Sequence, residues 1–141
     1  MKSPFAALGR LHDWQVREHQ RLLSKLRQQQ QALQAALEAL AEEVAAEQRF
    51  AAEQPFEASV SLHAYMRAAA AKRADLEKRV AELKAADEQQ QDVLRAAYGE
   101  LKRAELLDER AKADAARKRE DEAAKERDDL STARRSSSGA A

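Results

Sequence analysis

The sequence predicts an all-α protein: two long helices that form an antiparallel coiled-coil hairpin with a C-terminal helical overhang. Three observations carry this. Few aromatics, only three glycines and abundant Ala, Leu, Glu, Lys, Arg and Gln argue for long helix over a globular core. Apolar residues recur in alternating steps of three and four over most of the length. One short break, Glu53-Gln54-Pro55-Phe56-Glu57-Ala58-Ser59, separates two stretches so patterned. The chain reads as a single coiled-coil domain with a helix over 5–52, a turn at 53–59, a second helix over 60–130 and a disordered tail at 131–141.

The first helix opens with Ser3 as a candidate N-cap and Pro4 at the first helical position, where its missing N–H costs nothing. From Val16 a heptad runs through Val16, Leu23, Gln30, Leu37 and Val44, with His19, Leu26, Leu33 and Leu40 as the second set. This narrow seam suits one partner helix. Upstream, Phe5, Leu8, Leu11 and Leu22 leave that register, so the apolar face is expected to broaden or rotate there. The glutamines at 28–31 read as solvated helix, because glutamine is a good helix former and Gln30 alone falls on the seam. Pro55 ends the helix within a few residues of Ala52.

Ser59 or Ser61 is expected to cap the second helix. Its seam positions are Leu62, Met66, Ala69, Arg73, Leu76, Val80, Leu83, Asp87, Gln90, Leu94, Ala97, Leu101 and Ala104. Asp87 and Gln90 interrupt the apolar stripe, which weakens the seam locally and helps to fix its register. About 48 residues in the first helix span roughly 70 Å, and about 70 in the second roughly 105 Å. Folding back at Pro55 therefore leaves Asp108 to about Leu130 without a partner. There the seam continues as Asp108, Ala111, Ala115, Lys118 and Glu122, and pairs such as Asp114 with Lys118 add only about 0.2–0.5 kcal/mol each. Gross burial along the seam is offset by the ordering of over a hundred residues, so a partner is expected to rigidify the chain.

Composition bounds function. Acidic and basic residues number twenty-five each, and they balance within 1–54, 55–107 and 108–141 separately, so no basic face favours nucleic acid. Without cysteine there is no disulfide framework, which fits a reducing compartment. The opening residues carry too short an apolar run for a signal peptide, and no stretch of roughly 18 apolar residues spans a bilayer, so membrane association would be peripheral and through partners. No enzymatic activity or cofactor is expected: Gly9, Gly99 and Gly139 stand alone and build no phosphate-cradling loop. His12 and His19, about 10 Å apart along the axis, do not converge on one metal ion. Carboxylate pairs such as Glu42-Glu43 and Asp128-Asp129 lack a pocket to perturb them.

Protein-binding candidates remain. Trp14 falls outside the seam and is either a binding anchor or a residue packed against the C-terminal overhang. Phe50, Phe56 and Tyr65 gather near the break, where they either plug the end of the coiled coil or form a contact surface. Arg134 and Arg135 close the charged tail.

The layout of heptad arm, short turn, Val60-Ser61-Leu62-His63-Ala64-Tyr65 and an uninterrupted longer helix resembles the FliJ-type flagellar export proteins and their type III secretion counterparts. The ending Glu126-Arg127-Asp128-Asp129-Leu130 with Arg134-Arg135 is similar too, although Ser136 stands where that family typically carries a terminal aromatic. The resemblance implies a cytoplasmic component at the inner face of the cell membrane. It implies binding to the hexameric export ATPase and its regulator in the manner of a central stalk, and contact with the export gate membrane protein and with substrate chaperones. The resemblance would set the paired termini in the ATPase ring and turn the break toward other export components. A different class of reading is a generic scaffold, a parallel homodimeric coiled coil kinked at Pro55. A prefoldin-like holdase would need β-branched segments near the turn, where Val60 stands alone.

Overall fold

A computed structural model describes residues 3–54 and 57–139, with the backbone alone for 57–59. Two helices account for nearly all of it, α1 (Phe5–Glu53, 49 residues) and α2 (Glu57–Gly139, 83 residues), and among the described residues there is no strand. Ser3 caps α1 as its position predicts: its hydroxyl oxygen accepts the Phe5 amide at 3.2 Å, and its carbonyl accepts the Ala6 amide at 3.1 Å. Two first-turn donors are thereby satisfied. Pro55 and Phe56 lie outside the described residues.

At both of its ends α2 departs from the sequence reading. It begins at Glu57 rather than near residue 60, so Ser59 and Ser61 fall inside the helix and neither caps it. It also continues through 131–139, where a disordered tail is expected from the serines. The physical reason is visible in the last turns. Thr132 donates its hydroxyl to the Asp128 carbonyl at 2.9 Å, and Ser136, Ser137 and Ser138 donate to the carbonyls of Ala133, Arg134 and Arg135 at 3.1–3.2 Å. Hydroxyls that could compete with the helix instead bond back along it.

Contacts divide the chain into two units, 17–96 and the combination of 1–16 with 97–141. In the first, α1 and α2 are packed against each other. Leu40, Ala69 and Leu76 form its core, and Leu33, Ala36, Leu37, Val44 and Tyr65 pack around them. Cross-helix bonds join Gln48 to Met66, Gln30 to Leu83 and Asp87, Arg27 to Asp87, and His19 to Gln90. The α2 partner number falls as the α1 number rises.

The heptad positions map onto burial. Leu23, Leu40, Ala69, Leu76, Val80 and Asp87 are buried, and His19, Leu26, Gln30, Leu33, Leu37, Val44, Leu62, Met66, Leu83, Gln90 and Leu94 are half-buried. Arg73 is the departure: it is exposed, its Nε 2.9 Å from Glu77 on its own helix. A long cationic side chain at a seam position can carry its charge out to water.

In the second unit Val16, Ala97 and Ala104 are buried, and Phe5, Leu101, Asp108 and Ala111 are half-buried. Leu8 and Leu11 remain exposed, at 38% and 49%, so leaving the register takes them off the packed face instead of widening it. Every described residue after Ala111 is exposed.

Candidate protein-binding surfaces

The candidate surfaces are built from exposed aromatic and apolar side chains. In unit 17–96, α1 brings Phe50 and α2 brings Tyr65 to one shallow pocket, shared with Glu47, Ala51, Gln54, Ser61 and Leu62. Phe50 is 56% exposed, which is too open for a plug, whereas Tyr65 is half-buried against the core cluster. Removal from water raises the Tyr65 hydroxyl above its ordinary pKa, and the carboxylates of Glu43 and Glu47 add to the shift. The pocket therefore joins one exposed ring, one anchored ring and an acidic edge. Neither Glu47, which lines it, nor Glu43, which acts on the same hydroxyl, was legible as a neighbour of Tyr65, because that relation depends on the cross-helix register. Phe56, the third aromatic of this group, lies outside the described residues.

Trp14 belongs to unit 1–16 with 97–141 and is 59% exposed. More than half of its surface is thus open to water. Leu106, Leu107 and Tyr98 of the same unit are also exposed, at 52%, 40% and 43%. Arg134 and Arg135 lie on the exposed final turns of α2, and their carbonyls accept the Ser137 and Ser138 hydroxyls.

His12 and His19 act as structural bonding groups. His12 donates from Nδ1 to Gln15 Oε1 at 3.1 Å, which requires the proton on Nδ1. His19 Nδ1 instead accepts from Gln90 Nε2 at 3.2 Å.

Asp108 marks the last strongly bonded level of its unit. Lys112 Nζ lies 3.0 Å from its Oδ2 and is the main cause of a titration held below the ordinary carboxyl value, to which the Ser3 hydroxyl adds. Oδ1 is enclosed without a hydrogen-bond partner among the described residues, so Lys112 dominates. A carboxyl with a lowered folded pKa contributes stability that is complete above the unfolded value of about 3.9 and is lost as pH falls through the folded value. Asp108→Asn is therefore expected to melt below the parent chain at neutral pH, with the gap closing below about pH 4. Thermal melts of both chains by circular dichroism across that range check this; a gap that does not change with pH counts against the role of the charge.

Among the described residues no helix is long and apolar enough to cross a membrane. No protein-family model, curated protein or solved structure matches the chain.

Proposed function

We propose that this chain is a coiled-coil component of a type III export apparatus, the reading implied by the layout that resembles FliJ-type proteins. In it, α1 and α2 form an antiparallel coiled-coil hairpin, a single domain with α2 overhanging. Its partners are the hexameric export ATPase and its regulator, the export gate membrane protein and substrate chaperones. It works in the cytoplasm at the inner face of the membrane without activity of its own. The descending series His19 with Gln90, Gln30 with Leu83 and Gln48 with Met66 supports the hairpin.

The observation that carries the functional reading is the contrast along α2. Up to Ala111 its seam positions are covered apart from Arg73, and beyond it every described side chain is exposed. A helix so polar buries nothing of its own, which leaves its charged surface open to a partner assembly. The generic scaffold reading gives this segment no partner to recognise.

Deleting residues 112–141 is expected to weaken binding to the export ATPase by about tenfold or more, and more than Phe50→Ala combined with Tyr65→Ala does. Titration of each variant against the purified ATPase checks the order. Equal affinity for the deletion and the parent chain would remove the ATPase from this end of the molecule.

A further inference from the structure

Unit 17–96 has two features that the pairing of α1 with α2 leaves unused. The first is a segregation of charge. Between Gln28 and Gln48, α1 carries Glu38, Glu42, Glu43 and Glu47 and no lysine or arginine. Between Ala58 and Ala74, α2 carries Arg67, Lys72 and Arg73 and no aspartate or glutamate. No salt bridge among the described residues joins the two sets; Arg73 is engaged instead by Glu77 of its own helix.

The second feature is an apolar groove of about 450 Å³ along one side of the helix pair. Leu37, Leu40, Val44 and Met66 form its floor, and the small side chains of Ala41 and Ala70 keep its edges low. Glu38 of α1 and the ion-paired Arg73 and Glu77 of α2 stand at the same groove. None of the described large side chains is fully buried, so a two-helix seam leaves this core open on one side.

We infer that this face of the unit binds a second copy of the chain, groove against groove, as a two-fold symmetric four-helix core. Charge selects both the occupant and the orientation. A two-fold contact sets the same surface on both sides. With the axis across the helices, α1 would lie on α1 of the other copy and carboxylates would face carboxylates, which like-charge repulsion opposes. With the axis along the helices, α1 of each copy lies on α2 of the other. Glu38 of each copy then faces the Arg73–Glu77 pair of the other, with Glu42 within about a turn of Arg67. The apolar floors close on each other, and Ala41 and Ala70 allow the close approach that helix packing needs. This arrangement uses residues near the core cluster of unit 17–96 and does not depend on the export reading.

Sedimentation equilibrium on the full chain tests the inference. A monomer–dimer equilibrium is expected, and Ala70→Glu, which sets a carboxylate at an exposed groove edge opposite the acidic stretch of the other copy, is expected to raise its dissociation constant about tenfold or more while helicity is kept. Glu38→Lys with Glu42→Lys is expected to weaken the dimer similarly, and adding Arg67→Glu with Arg73→Glu to restore it. The chain has no cysteine, so the orientation can be read from disulfides. In an equimolar mixture, the Ala41→Cys chain is expected to crosslink to the Ala70→Cys chain in preference to its own kind. A monomeric mass at every concentration, a dimer indifferent to Ala70→Glu, or crosslinks mainly between two Ala41→Cys chains would each overturn the proposal.

Discussion

Replacing Leu40 with alanine is expected to cost unit 17–96 about 2 to 4 kcal/mol, the largest loss among single apolar truncations in the chain. Leu40 is 6% exposed and lies in one cluster with Ala69 and Leu76, both 8% exposed, so its side chain has contacts on both helices. Truncation removes apolar burial and leaves a hole that the alanine-rich neighbours cannot fill. The groove beside it admits water, which holds the cost below that of an enclosed globular core. Leu22 is the control: it is 47% exposed, and Leu22→Ala is expected to change stability by no more than about 0.5 kcal/mol. Urea denaturation followed by circular dichroism measures both. Similar losses for the two variants would mean that the heptad seam is not where the stability resides.

That contrast also shows what kind of information the sequence carries. Leu22 and Leu23 are adjacent and equally apolar, yet the spacing from Val16 and Leu26 assigns Leu23 to the seam and leaves Leu22 out. The structure buries Leu23 and exposes Leu22. Heptad spacing decides this because a helix offers one narrow face to one partner, and a shift of one residue turns a side chain by about 100°. Arg73 fits the spacing and is exposed all the same, since periodicity sets the direction of Cβ and not the end point of a long flexible side chain.

The ends of α2 were less legible for a different reason. Capping rules reward a serine that leaves the helix, but the same hydroxyl can bond to a carbonyl one turn back, and composition alone does not choose between the two. In Ser136-Ser137-Ser138 the back-bonded choice is made at three successive residues. The candidate surfaces depend on distance in space. Trp14 was placed off the seam by periodicity, whereas its 59% exposure depends on what the neighbouring helix leaves uncovered. The carboxylates beside Tyr65 required knowing which turn of α1 lies level with it.

Replacing Gln30 and Asp87 together by leucine is expected to raise stability by about 1 to 4 kcal/mol while loosening the choice of register. The Asp87 carboxylate, with only 11% of its side chain exposed, is held by Gln91 at 2.6 Å, Gln30 at 3.2 Å and Arg27 at 3.4 Å. Gln30 also donates to the Leu83 carbonyl at 3.1 Å, and Gln90 donates to the His19 carbonyl at 3.1 Å. Each glutamine thus reaches across to the backbone of the opposite helix, a bond that survives only in one alignment. Sliding either helix by a heptad would preserve most leucine contacts but would strand the carboxylate and both amides. Gln30→Leu alone is accordingly expected to destabilise by about 1 to 3 kcal/mol, because Asp87 and the Leu83 carbonyl lose a donor without the charge being removed. The double variant removes the demand itself and lets two leucines pack, but of the cross-helix amide bonds to backbone only that of Gln90 to the His19 carbonyl is then left to favour the native alignment over its heptad-shifted neighbours. Urea denaturation gives the two stabilities. Disulfide trapping between cysteines placed at Leu33 and Val80, compared with pairs displaced by seven residues, gives the register. A double variant less stable than the parent, or one trapped as exclusively in the native alignment as the parent, would show that the polar layer does not exchange stability for register.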